Sequence, residues 1–147
     1  GRTQFCFHNW EKVTGDPWVL DTVQGYRLEL VSHPVQDSWP WELRFSLDKE
    51  ALIQQELDKL VQKQVISPVN SDVGPGFIST IFLVPNPIIN LRALNKFIAF
   101  HHFKMEGLHL LRDTLQLGDW MVCLDLKDVY FMIPIHPEDR KWLRFLG

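Results

Sequence analysis

Only two cysteines occur in the 147 residues, Cys6 and Cys123, too few and too far apart in sequence for the disulfide framework of a small secreted domain. Two free thiols in a reducing compartment are expected instead, with Cys123 inside a core strand. Long hydrophobic runs are also missing. No uninterrupted apolar stretch approaches the roughly 18 to 20 residues needed to cross a bilayer, and the N-terminus lacks the charged-then-apolar pattern of a signal peptide. A soluble, intracellular protein with no membrane partner is the expectation. Excess positive charge is absent too. The formal net charge of −3 has the wrong sign for holding nucleic acid by bulk electrostatics and leaves only a local basic groove for that purpose. No internal repeat or low-complexity tract appears.

What remains is globular: 46% hydrophobic and 22% charged residues leave room for about one domain. Residues 1–48 are rich in Trp, Pro and Gly, with Trp10, Trp18, Trp39 and Trp41 scattered without period. No spacing puts those rings on one face, so they are expected to be buried rather than to form a stacking platform. Trp18–Leu20 and Tyr26–Val31 read as short extended pieces separated by turns at Gly15-Asp16-Pro17 and Gly25.

From Asp48 the pattern changes. Leu52, Ile53, Leu57, Leu60 and Val61 form the 3.6-residue stripe of an amphipathic helix ending near Gln64. After a loop over residues 71–76, Phe77–Val84 is continuous and β-rich, long enough for a central strand. Pro85-Asn86-Pro87 stops it, and Ile88-Ile89-Asn90 resumes the extended pattern, which predicts a hairpin. Leu91–Phe97 reads as a helical turn. Leu108, Leu111 and Leu115 space another short helix, closed by Gly118. His136–Asp139 is a turn and Trp142–Phe145 a strand. The order of helix, strands, helix, strands is α+β.

Trp120–Leu124 is a short apolar run, which reads as a buried strand delivering Asp125 where it leaves the core. Asp128 and Tyr130 follow before the apolar run Phe131–Ile135. By residue type alone, the two acids serve equally as ordinary turn residues or as a site. His101, His102, His109 and Cys123 match no standard zinc spacing and are set aside.

Asp125-Leu126-Lys127-Asp128-Val129-Tyr130-Phe131 followed by Pro134 resembles the first catalytic motif of reverse transcriptases. Phe77–Pro85 together with Ile89-Asn90-Leu91-Arg92-Ala93-Leu94-Asn95-Lys96 resembles their fingers segment, in the family's order and near its spacing. Asn9–Lys12, Asp16–Leu20, Gly25–Glu29 and His102–Glu106 are similar to retrotransposons of the DIRS type, which encode a tyrosine recombinase. The resemblance covers nearly the whole chain. It implies residues 1–48 as an N-terminal extension and residues 49–147 as incomplete fingers and the first part of the palm of the DNA/RNA polymerase fold.

The chemistry of that family explains the residue types. A 3′-hydroxyl attacks an α-phosphate while two divalent ions, about 3.5 to 4 Å apart, stabilise the entering and leaving oxygens. Mg²⁺ prefers hard carboxylate oxygen. The resemblance implies Asp125 as the catalytic carboxylate bridging both ions, with the Leu126 carbonyl as a further metal ligand. It places Asp128, Tyr130 and Arg92 against the incoming nucleotide, Tyr130 beneath its sugar, and assigns Asn95 to the template strand. RNA or DNA template-primer and dNTP are the implied partners.

Two departures stand beside those matches. The family's Lys- and Gly-containing hairpin with its Trp-Arg pair is missing between Val84-Pro85 and Pro87-Ile88, which removes charge-assisted contacts to the triphosphate. No Tyr-x-Asp-Asp string occurs. Asp125 is then one carboxylate where three are required, a partly buried charge without its partners. The expectation is a retrotransposon reverse-transcriptase fragment that is inactive alone; the alternative is a non-enzymatic module reused to bind nucleic acid or protein. Half a palm would also leave apolar surface open to self-association.

Overall fold

The computed structural model describes residues 1–41, 44–70, 74–84, 86–102, 107–122 and 125–146, and over them the chain is α+β around a small three-stranded sheet. The strands are β1 (Ile78–Val84), β2 (Asn86–Asn90) and β3 (Arg144–Leu146), in the order β2-β1-β3. β1 pairs antiparallel with β2 from Thr80↔Asn90 to Val84↔Asn86, as the hairpin pattern predicts. On its other edge it pairs parallel with β3, Ile78↔Arg144 to Thr80↔Leu146. Trp142–Phe145, expected as strand, divides into a 3₁₀ turn over Arg140–Leu143 and β3.

Four helices accompany the sheet among the described residues: α1 (Phe7–Val13), α2 (Pro17–Gln24), α3 (Leu47–Gln62) and α4 (Leu108–Thr114). α3 is the helix that the stripe predicts. Asp48 and Glu50 lie in its first turn and Lys59 in its last, each at the end its charge suits. Gln64 ends it in the left-handed region at φ 57°, with Val65 N–H returning to the Leu60 carbonyl at 2.9 Å. Ile53 and Leu57, one turn apart on the same face, are the pair it buries.

Trp18–Leu20 is helix, where an extended piece is expected from the sequence. Asp16 caps α2, its Oδ1 accepting from the Trp18 N–H at 2.8 Å, and Pro17 occupies the first helical position with its φ already set. This start signal outweighs the β-leaning Trp-Val pair. The tryptophans also depart from expectation: Trp18, Trp39 and Trp41 are exposed and Trp10 is half-buried. Trp142, outside that group, is the one in the core at 4% exposure.

Two apolar clusters hold the body, and β1 and its entry contribute to both. Ile81 packs with Ile53 and Leu57 of α3, flanked by Phe45, Ile66, Ile89 and Phe145. Phe77 packs with Leu94 and Trp142, flanked by Leu28, Leu30 and Phe97 among others. The approach of residues 141–144 to the start of β1 requires a glycine there, because a Cβ on Gly76 would lie 2.6 Å from the Lys141 carbonyl oxygen.

The segment before α3 threads through this body. Tyr26 forms a parallel bridge with Ile135 and Leu30 an antiparallel bridge with Ile98. Leu28 N–H donates to the buried Asp139 carboxylate at 3.0 Å, and Arg27 pairs with Glu138 at 2.6 Å. Gln36 acts as a substitute strand: its Nε2 donates to the Ile78 carbonyl at 2.8 Å and its Oε1 accepts the Ile78 N–H at 2.9 Å. β2 begins its pairing only at Thr80, so that amide satisfies the backbone groups β2 leaves open. Gln36→Ala should therefore cost about 1 to 3 kcal/mol in urea unfolding, the penalty for stranding part-buried backbone groups. A change below about 0.5 kcal/mol, the range of ordinary surface substitutions, would show that water replaces the amide.

Candidate functional site

Sequence alone predicts a buried strand over 120–124, and the structure overturns it where it is described. Trp120, Met121 and Val122 carry no strand pairing and are 99%, 69% and 83% exposed; Cys123 and Leu124 lie outside the described residues. An apolar β-forming run becomes a strand only beside a neighbour that supplies ladder partners and a packed face. The sheet has β2 and β3 as its edges, and neither offers Trp120–Val122 a place.

Asp125 consequently stands exposed on a loop, not partly buried at a strand end, and Leu126 beside it is exposed as well. Val129–Phe131 forms a 3₁₀ turn entered through Asp128, whose backbone sits in the left-handed region at φ 59°, ψ 26°. Asp tolerates that conformation better than most residues because its short side chain bonds locally. Tyr130 on this turn is 93% exposed, its ring in solvent.

Asp128 is held from a distance. Lys63, just beyond the end of α3, donates to its Oδ2 at 2.8 Å. That hydrogen bond, reinforced by the positive charges of Lys63, Lys127 and Arg2, outweighs the opposing desolvation and holds the carboxyl below its ordinary range. The two residues are 65 positions apart, and no periodicity or motif in the sequence couples them. Thr3 ties the N-terminus to the same region, its N–H reaching the Met132 carbonyl at 3.1 Å and its hydroxyl the Val23 carbonyl at 2.8 Å.

Arg92 and Asn95 lie on a separate turn. The Arg92 N–H donates to Asn90 Oδ1 at 3.3 Å and the Asn95 N–H to the Leu91 carbonyl at 2.8 Å. Leu94 between them is fully buried and anchors the turn, leaving both polar side chains exposed. Arg92 and Asn90 line a cleft of about 170 Å³ with Gln36, Phe77, Ser79 and Ala93. Ser79 Oγ is buried there with no hydrogen-bond partner among the described residues.

Among the described residues, no hydrogen bond or ion pair joins Arg92 or Asn95 to Asp125, Asp128 or Tyr130. Nor does any group of three or more His, Cys, Asp and Glu among them approach closely enough to hold a metal ion. Asp125 faces solvent singly and the Asp128 carboxylate is occupied by Lys63, so these side chains do not by themselves fit a divalent cation that needs several hard oxygen ligands. Cys6 is free and exposed. No helix among the described residues is long and apolar enough to cross a membrane.

Among characterised proteins, the chain is similar to the Gag-Pro-Pol polyprotein of squirrel monkey retrovirus, with 30% identity over 115 residues. The match takes in 74% of this chain and 6% of the polyprotein, so the chain spans a small part of the relative it resembles. No family model matches, and no solved structure matches. The similarity supports an origin related to retroelements.

Substitutions separate the two acids. Asp125→Asn should leave stability within about 0.5 kcal/mol, as for an exposed side chain with no buried partner. At Asp128, Asn should be better tolerated than Ala, because it accepts the left-handed backbone while both remove the charge. The Asp128 pKa in the folded chain lies below its unfolded value near ~3.9, so the Lys63 pair stabilises above about pH 4 and fades as pH falls through the folded value. Unfolding of Lys63→Ala should therefore differ from the parent at pH 7, and the difference should shrink steadily as pH falls below the unfolded Asp value. A difference that persists unchanged in acid would mean that Lys63 acts through packing alone.

Proposed function

We propose that the chain derives from the fingers and the first part of the palm of a reverse transcriptase, of the DIRS retrotransposon type, and that by itself it does not polymerise. The observation that carries this reading is the order of its parts. The β1–β2 hairpin leads into the Arg92–Asn95 turn, and the Asp125–Phe131 motif follows, in a chain similar over most of its length to a retroviral polyprotein. By resemblance, Asp125 with the Leu126 carbonyl is the metal-binding element, Asp128, Tyr130 and Arg92 belong to the nucleotide side, and Asn95 to the template.

Inactivity has three supports. β1 and β2 are paired up to Val84↔Asn86, so one residue joins them and no basic loop stands there to grip a triphosphate. No Tyr-x-Asp-Asp string supplies further carboxylates, and Asp128 is held by Lys63. An in-line displacement between two metal ions needs those ligands assembled in one place.

In primer extension on an RNA template with Mg²⁺ or Mn²⁺, the chain should add no nucleotide. Template-dependent incorporation abolished by Asp125→Asn would contradict this. The origin is tested separately at the locus: related copies should continue in frame into a Tyr-x-Asp-Asp motif, and continuation into an unrelated domain would refute it.

A further inference from the structure

The cleft at the start of β1 is lined by hydrogen-bond donors and by no acid. Its walls come from Gln36 and Pro40, from residues 77–80, and from Asn90, Arg92 and Ala93 at and beyond the end of β2. Arg92 is the one charged side chain in the lining, and among the described residues no hydrogen bond or ion pair engages its guanidinium. Asn90 spends its Oδ1 on the Arg92 N–H, which leaves the amide nitrogen as a further donor. Ser79 is 3% exposed, and its Oγ has no partner among the described residues. Such an orphaned buried hydroxyl is uncommon, and a bound group is one way to satisfy it. Phe77 and Pro40 supply apolar wall, and Gln36 has both ends of its amide committed to Ile78.

We propose that this cleft binds a small monocarboxylate, its two oxygens on the Arg92 guanidinium and its short apolar body against Phe77 and Pro40. The planar fork of an arginine matches a carboxylate with two parallel hydrogen bonds. One cation balances one negative charge. A phosphate monoester carries about −1.5 to −2 at neutral pH and would be left undercompensated, because no second cation lines the cleft. Each carboxylate oxygen accepts more than one hydrogen bond, so the Asn90 amide and the Ser79 hydroxyl, the latter after a turn about χ1, complete what Arg92 begins. Size restricts the ligand further. At about 170 Å³ the cleft holds the volume of about six water molecules at ~30 Å³ each, below the roughly 300 to 1,000 Å³ of sites for larger ligands. An acid of about four carbon atoms fits that volume and a nucleotide does not. The proposal therefore goes beyond the polymerase reading and does not depend on it.

The experiment is a titration of the isotope-labelled full chain with sodium butyrate at pH 7 and constant ionic strength, read by amide chemical shifts. The amides of Ile78, Ser79, Asn90 and Arg92 should shift saturably, with a Kd on the order of 1 mM, reasonable for six non-hydrogen atoms and one charge-assisted contact. Butyramide, which has the same shape without the charge, and inorganic phosphate should each bind at least about tenfold more weakly. Arg92→Gln should weaken butyrate binding at least about tenfold with the remaining spectrum unchanged, because the side chain is exposed and holds nothing else among the described residues. Ser79→Ala should weaken it about threefold through the lost donor. Lys96→Gln, an exposed cation on the same turn but outside the lining, should leave the Kd within about twofold. An acetylated tripeptide with a free carboxyl terminus separates the sources of the ligand: binding about tenfold tighter than butyrate identifies a chain end, and equal or weaker binding a free acid, each in support of the site. The absence of a saturable shift up to about 20 mM butyrate overturns the proposal. So does butyramide or phosphate binding as tightly as butyrate, or affinity unchanged in Arg92→Gln or in Ser79→Ala.

Discussion

Strand β1 is the constraint on which the rest depends. It is hydrogen-bonded along both edges, antiparallel to β2 and parallel to β3, and Gln36 occupies the two backbone positions that β2 does not reach. Its side chains and those at its entry also join the two apolar clusters, Ile81 to α3 and Phe77 to Leu94 and Trp142. The parallel partner is the consequential one. A parallel pair cannot be closed by a tight turn, so joining Ile78 to Arg144 sends the intervening chain, including the whole Asp125 motif, out and back as one long connection. Its ends are fixed: Asn95 and Phe97 sit on the Leu94 anchor, and Pro134–Asp139 is hydrogen-bonded to Tyr26 and Leu28. Between them, Trp120–Val122 and Leu126–Tyr130 find no sheet edge.

That arrangement accounts for both the chemistry and the surface. An unfolded chain of this mass exposes about 25,000 Å², and a domain of about 150 residues ordinarily buries some two-thirds of it. Here 12,693 Å² remains exposed, so about half is buried. The deficit lies heavily where a catalytic motif would need support. Electrostatic and metal-ion catalysis both rely on acids held in fixed positions in a partly dry site. Asp125 in solvent and Asp128 turned to Lys63 are the opposite case. An ion pair whose two side chains are each nearly half exposed is a weak clamp.

What was legible in the sequence were the elements whose causes are local. The Ile53–Leu57 stripe and the β-rich run entering β1 each carry their own periodicity, and each is where it is expected; the hairpin forms too, but Asn86 and Pro87, expected in its turn, are already in β2, paired with Val84 and Leu83. Asp16-Pro17, a turn by composition, is a helix start in the structure, because the Asp16 cap and the preset φ of Pro17 outweigh the local β propensity of Trp18-Val19. Trp120–Val122 failed for a different reason. Its composition is that of a buried strand, but burial is a property of neighbours, and no local signal reports whether they are present. The couplings Gln36–Ile78 and Lys63–Asp128 span 42 and 65 positions and were invisible for the same reason. Of the candidate site, the sequence supplied the residues; their separation into two turns, Arg92 and Asn95 on one and Asp125, Asp128 and Tyr130 on the other, needed the fold.

The central claim is that the separate chain folds around β1 yet buries only about half its surface, and the urea m-value reads that directly because it scales with the area exposed on unfolding. The m-value should be about 0.7 of the value typical of well-packed domains of this length, the ratio of roughly 12,000 to 17,000 Å² of buried surface. A single cooperative transition with that reduced slope is the predicted result. An m-value at the full level for the chain length would contradict the account, since it would require Trp120–Val122 and Tyr130 to be packed in the separate molecule.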